Sequence, residues 1–205
     1  MDGDDDRALG KIARSFQRLA SILEDSTAPT LDVALFSEAC ALVSPLFGCL
    51  GIAFKFAELD YVAKVRDLAR ASGTISTLDV LVEKDVETNR VKEAGSHARN
   101  LLRVKRGIDM VKVLFEEILA SEENSLKGPA SKAYAQVFAP YHGWAIRTAV
   151  AAGLYALPTK SQLLKKLNED ESSARTHMQS YVASCLPVIV HIDNLFLTRQ
   201  LGIDW

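Results

Sequence analysis

The chain has 205 residues, 48% of them hydrophobic and 24% charged, the balance of a globular chain with enough mass for one substantial core. A formal charge of −2 excludes a dedicated nucleic-acid binder, which needs a basic footprint. With 11 glycines and 6 prolines there is too little turn chemistry for the many short strands of a β-sandwich or barrel.

In chain order, the opening "MDGDDDRALG" is acidic and lacks an apolar stretch, so it does not read as a signal or transit peptide. Residues 1–6 are expected to be a flexible acidic tip on a single domain spanning 1–205. Apolar residues then recur at spacings of three and four, the period of amphipathic helices. That period predicts helices over 7–23, 31–47, 50–71, 75–90, 97–121, 130–137, 142–156, 159–168 and 170–200. Asp32, Ser96 and Thr159 stand where N-caps belong. The breaks between helices are short, no internal repeat interrupts them, and the fold class is all-α.

The run "ACALVSPLFGCLGIAF" (39–54) is free of charge. It is shorter than the roughly 20 residues a spanning helix needs, and Pro45, Gly48 and Gly51 interrupt it. It reads as a buried helix that kinks or turns at Pro45 and Gly48. Cys40, Cys49 and Cys185 form no Cys-x-x-Cys, and there is no Asn-x-Ser/Thr sequon, so a reducing, cytosolic location is expected.

Helix 97–121 sorts into three faces. Val104, Ile108, Val111, Phe115, Ile118 and Leu119 make a core stripe. Lys105, Asp109, Lys112 and Glu116 alternate in sign and read as a solvated face with helix-spaced ion pairs. Arg99, Arg103 and Arg106 share the third face and run into Met110, Val113 and Leu114. Like charges four apart repel, so this stripe is either a solvated basic patch or an anion site at the mouth of an apolar hole. Asp60 and Lys64 are also four apart, in the favourable acid-before-base order, which is common in ordinary surface pairs too. In "YHGWAIR" (141–147), His142 sits near a helix N-terminus, where the dipole disfavours imidazolium. Trp144 reads either as a half-buried aromatic or as an anchor at a membrane interface.

Enzyme constellations are missing. There is no Gly-x-Ser-x-Gly, P-loop, Gly-x-Gly-x-x-Gly or His-Glu-x-x-His. His97, His142, His177 and His191 form no i, i+4 pair to seat a metal. No catalytic residue, metal or cofactor is expected.

The stretches "SPLFGCLGIAFKFAELDYVAKV" (44–65), "AGSHARNLLRVKRGIDMVKVLFE" (94–116) and "VFAPYHGWAIR" (137–147), with "IDNLF" and the closing "LGIDW", resemble the glycolipid transfer protein family. The likeness is to its plant accelerated-cell-death subgroup, which transfers ceramide-1-phosphate. It runs over essentially the whole chain. The resemblance implies a two-layer helical sandwich around a hydrophobic pocket, with a polar headgroup site at its mouth. It implies that Asp60 holds the ceramide amide N–H and sphingoid hydroxyl, and that His142 hydrogen-bonds the amide carbonyl. Lys64, Arg99 and Arg103 take the place of phosphate-binding cations, with Arg106 as a further helper, and Trp144 takes the place of the membrane-contacting tryptophan. A role in restraining plant cell death is implied by the subgroup alone.

Glycolipid-binding members carry a tryptophan on the helix that here bears Arg99 and Arg103. Lys64, Arg99 and Arg103 against Asp60 give +3 − 1 = +2, and a phosphate monoester carries about −1.5 to −2 at neutral pH. The expected cargo is therefore ceramide-1-phosphate and its dihydro form, carried between membranes by a cytosolic protein that touches them transiently. The alternatives are a sphingolipid sensor or scaffold acting through a protein partner, an adaptor for phosphopeptides, and a phospholipid enzyme, which lacks a nucleophile.

Overall fold

The structure is a computed structural model that describes residues 7–25, 27, 29–51 and 54–205; the acidic tip 1–6 lies outside the described residues. The three-and-four apolar spacing resolves into nine α-helices among these residues: α1 (Ala8–Glu24), α2 (Val33–Cys49), α3 (Lys55–Ala71), α4 (Leu78–Glu87), α5 (His97–Ala120), α6 (Lys127–Val137), α7 (Trp144–Gly153), α8 (Lys160–Lys166) and α9 (Glu171–Leu197). Short 3-10 turns at Ala139–Tyr141 and Leu154–Ala156 bracket α7.

Helix starts follow local chemistry. The Asp32 carboxylate accepts from Leu35 N at 3.0 Å and the Ser96 hydroxyl from Arg99 N at 3.2 Å, while Thr159 and Gln162 form a capping box. Each such cap satisfies an otherwise orphaned donor and contributes about 1 kcal/mol. Thr77 and Asp170 cap α4 and α9 in the same way, two caps the periodicity does not reveal. An antiparallel bridge between Asp32 and Thr77 ties the starts of α2 and α4 together.

The helices close a circuit. α1 lies along α9, α9 against α5, α5 against α3, α3 against α2, and α2 returns to α1, with α4 and α6 also packed on α5. Phe16, Phe36, Leu68, Leu101, Ile192 and Phe196 are fully buried inside it. Tyr181 sits edge-on to Phe16 and Phe115 at 5.0 and 5.5 Å and donates its hydroxyl to Ile108 O at 2.9 Å. α9 is 27 residues long and apolar enough to cross a membrane, yet Cys185, Val188 and Ile192 on it are buried against its neighbours. It is a core helix.

Two expectations change here. Of a kink or a turn at Pro45 and Gly48, the turn is not found: α2 continues past both to Cys49, and the reversal comes at Gly51, whose φ of +100° is readily adopted by glycine. The stripe Lys105–Asp109–Lys112–Glu116 is not a solvated face. Lys105 is 6% exposed and its Nζ lies 2.7 Å from Asp193 Oδ1 on α9, while Lys112 pairs with Glu116 at 2.9 Å. Burial pushes the Asp109 carboxyl up, against the pull of Lys105 and Lys112. The reason is position: α5 is touched by α3, α4, α6 and α9, which leaves it almost no free face.

Candidate functional site

α3 and α5 hold the charged stripes, and two contacts fix how these helices meet. At Gly107 a Cβ would stand 2.5 Å from the ring of Tyr61, so only glycine lets α5 approach α3 this closely. Tyr61 is itself buried, donating to Cys40 O at 3.1 Å. Nearer the start of α5, Asp67 accepts from Asn100 Nδ2 at 2.7 Å and pairs with His97 Nδ1 at 2.8 Å. Next to the first of these ties α3 presents Asp60, and between the two it presents Lys64, beside the arginines of α5.

Asp60 and Lys64 form an ion pair one helical turn apart, with the Asp60 side chain 65% exposed and that of Lys64 13%. The Arg103 guanidinium is half-buried, and its proton affinity is lowered first by burial, then by Arg99, while Asp60 opposes both. Arg99 is half-buried as well and donates from Nη1 to Lys92 O at 3.3 Å. Among the described residues neither Arg99 nor Arg103 has a carboxylate within ion-pair distance. Two neighbouring cations, partly removed from water and without a counter-ion, are a costly arrangement that an anionic ligand would relieve.

His142 closes the site from the other side. It precedes Gly143, the N-cap of α7, and stacks on Phe138 at 5.6 Å. Burial holds its pKa below the usual 6.5, and Arg103, Arg147 and Arg106 push the same way. The ring is therefore neutral at pH 7. Its Nδ1 lies 3.0 Å from the Tyr134 hydroxyl. If Tyr134 donates, the ring proton sits on Nε2, leaving that edge free to donate to a carbonyl. Neither Tyr134 nor Arg147 has a spacing signal that sequence reasoning could use.

Arg106 differs from its two neighbours. It is 5% exposed, and its Nη2 donates to Ile203 O at 2.8 Å and to Trp205 O at 2.7 Å, with the guanidinium 3.6 Å from the Tyr141 ring. The stripe thus splits: Arg99 and Arg103 face the site, while Arg106 is bound to the chain's last residues. Val113 and Leu114, the apolar end of the stripe, are packed in the core.

Beside this site lies an apolar surface. α7 reads "WAIRTAVAAG" and has no buried residue; Trp144 is 82% exposed and Ile146 half exposed. The turn after it brings Ala156 O close to Gly51, and Phe56 and Leu59 on the following helix are exposed too. Tyr155, exposed, has Lys127 Nζ 3.5 Å from its ring centre. Sequence reasoning singled out Trp144 alone, because helical spacing does not tell an outward apolar residue from an inward one.

Residues 31–169 match the family model described as glycolipid transfer protein. The chain is 65% identical to accelerated cell death 11 of Arabidopsis thaliana over 205 residues, 100% of this chain and 99% of that one. It is 26% identical to the ceramide-1-phosphate transfer protein of Mus musculus over 157 residues, covering 70% and 71% of the two chains. A crystal structure of the D60N variant of the Arabidopsis protein, complexed with C12 ceramide-1-phosphate, matches with a TM-score of 0.96 over 98% of this chain and 99% of that one. The human ceramide-1-phosphate transfer protein, at 19% identity, shares the fold with a TM-score of 0.79 over 92% and 96%.

Proposed function

This chain belongs to the glycolipid transfer protein family, and from that premise we propose that it carries ceramide-1-phosphate, and its dihydro form, between membranes. The observation that supports this reading is the pair of partly buried arginines without a carboxylate, Arg99 and Arg103, next to Lys64. A phosphate monoester of charge about −1.5 to −2 offsets the +2 of Lys64, Arg99, Arg103 and Asp60, and each charge-assisted contact is worth roughly 1.5–3 kcal/mol. A neutral sugar would leave both arginines uncompensated, and phosphocholine would add a positive charge. The assignment agrees with the ligand of the Arabidopsis structure.

In this reading Asp60 accepts from the ceramide amide N–H and hydroxyl, and neutral His142 donates to the amide carbonyl. Lys64, freed in part from Asp60, joins the two arginines on the phosphate. The lipid chains enter the apolar interior. Taking a two-chain lipid of some thirty methylenes into water costs on the order of 20 kcal/mol, at about 0.8 kcal/mol per CH₂. An apolar interior replaces one oily surrounding with another, so the protein lowers a kinetic barrier and makes or breaks no bond. The exposed face of Trp144, Ile146, Tyr155 and Phe56 supplies the membrane contact, reversible and peripheral, by a cytosolic protein acting as one domain over 1–205.

Transfer of fluorescent ceramide-1-phosphate between vesicles, beside glucosylceramide and sphingomyelin, tests this. Movement of the phosphate lipid alone is expected. Movement of the glycolipid overturns the headgroup assignment, and binding without movement overturns transfer in favour of a lipid sensor.

A further inference from the structure

We infer that the last five residues are a positioning strap for the phosphate site, acting through Arg106 and Lys92, and that Arg106 is not itself a phosphate ligand. The inference rests on the phosphate reading above. Both Nη2 protons of Arg106 are committed, one to Ile203 O and one to Trp205 O, and one face of its guanidinium lies 3.6 Å from the Tyr141 ring. A phosphate could take the Nη2 edge of this group only by displacing two charge-assisted bonds of 2.8 and 2.7 Å, and the guanidinium as a whole is buried, Arg106 being 5% exposed.

The segment that holds it is itself well fastened. Gly202, at φ +70°, turns the chain so that Trp205 Nε1 donates back to Leu201 O and Gly202 O, both at 3.1 Å, while the indole packs edge-on to Phe196 at 6.1 Å. From this anchor two arms reach the site. One runs through Arg106 to Tyr141, whose neighbour in the chain is His142. The other runs through Lys92, whose ammonium lies 5.4 Å from the Trp205 ring and whose carbonyl accepts from Arg99 Nη1 at 3.3 Å. The strap therefore touches the supports of a phosphate cation on one side and of the amide-recognising histidine on the other.

The experiment compares Arg106→Gln, Trp205→Ala and the double variant in the full chain, reading the ratio of ceramide to ceramide-1-phosphate dissociation constants. This ratio isolates the contribution of the phosphate, and a general loss of packing does not move it. A strap predicts that each single variant lowers the ratio about tenfold and that the double variant lowers it no further, because the two residues act as one unit. Were Arg106 a direct ligand, Trp205→Ala would leave the ratio unchanged or raise it, and that result overturns the inference. Independent, multiplying losses overturn it too. Trp205→Phe, which keeps the ring contact with Phe196 but deletes the indole N–H, keeps the test open if Trp205→Ala does not fold, and a drop of a few-fold is expected. If the unaltered protein shows no preference for the phosphorylated lipid, the phosphate reading itself fails; a preserved preference with an unmoved ratio in the variants removes the strap alone.

Discussion

α5 carries two charged stripes that differ in almost every physical respect. Lys105, Asp109, Lys112 and Glu116 face α9 or lie beside it, and both cations are paired within the protein, Lys105 with Asp193 and Lys112 with Glu116, while Asp109 feels the pull of the same two lysines. Arg99 and Arg103, on the adjoining face, are half-buried and have no carboxylate to match them among the described residues. The first stripe alternates in sign and is balanced with the help of α9, as a structural element needs; the second is of one sign and unbalanced, as the proposed phosphate receptor needs. Sign balance, more than exposure, separates the two roles on one helix.

The sharpest way to break this contrast is to reverse a charge in one stripe and remove a partner charge from the other. Arg103→Glu is expected to lower ceramide-1-phosphate transfer about a hundredfold, since a contact worth roughly 1.5–3 kcal/mol becomes a repulsion. Its melting temperature should stay within a degree or two, because no partner is lost. Transfer at the unaltered rate would remove the phosphate assignment. Asp193→Ala should do the opposite. It strands Lys105, which is 6% exposed, and costs about 2–3 kcal/mol, somewhat under the 3–5 of a fully buried pair because the Asp193 side chain is 22% exposed. Chemical denaturation reads that loss, while transfer per folded molecule should be unchanged.

The same contrast explains what was legible in the sequence. The nine helices, the all-α class and the caps at Asp32, Ser96 and Thr159 follow from apolar period and local hydrogen-bond chemistry, both of which are properties of short segments. Asp60, Lys64, Arg99 and Arg103 stand out because their spacing puts them on helix faces and because of the family resemblance. The fate of the Lys105 stripe was hidden, since alternating sign looks the same whether water or α9 lies opposite. So was the separation of Arg106 from its neighbours: nothing at 106 announces that main-chain oxygens nearly a hundred residues later will take both its Nη2 protons. Pro45 left two outcomes open, a kink or a turn. A proline removes one helix hydrogen bond locally, yet α2 does not end there, and Leu46 and Phe47 beyond the proline are still buried in the core.

A gentler perturbation moves the receptor stripe relative to α3. Gly107→Ala places a Cβ 2.5 Å from the Tyr61 ring. Overpacking of this kind costs typically 1–3 kcal/mol, and the better helix propensity of alanine returns about 1. A net destabilisation of about 1 kcal/mol is expected, together with weaker ceramide-1-phosphate binding as Asp60 and Lys64 are pushed from Arg103. Calorimetry and a lipid-binding isotherm on the same sample separate the two effects. Trp144→Ala touches neither stripe. Being 82% exposed, it should change stability by less than about 0.5 kcal/mol. The transfer rate between vesicles should still fall several-fold, with binding of lipid presented in detergent unchanged; equal losses in both assays would place Trp144 in the site instead of at the membrane.

The smallest expected effect is on pH. His142 and His191 are both held below the ordinary imidazole value, chiefly by burial, so the folded protein binds fewer protons than the unfolded chain in the range just under pH 6.5. The stability their neutrality contributes is present above that value and lost as pH falls through their folded pKa values. The two differ in surroundings: His142 faces Arg103, Arg147 and Arg106, with Asp60 opposing them, whereas His191 has Asp79 alone as a charged neighbour, which partly offsets its burial. Urea midpoints measured from pH 7.5 down to 5 should therefore decline, and His191→Gln should flatten part of that decline without altering lipid selectivity. His142→Gln should flatten another part and weaken ceramide binding. A decline untouched by either substitution would assign the acid sensitivity to the carboxylates and leave the neutral His142 of the recognition site without support.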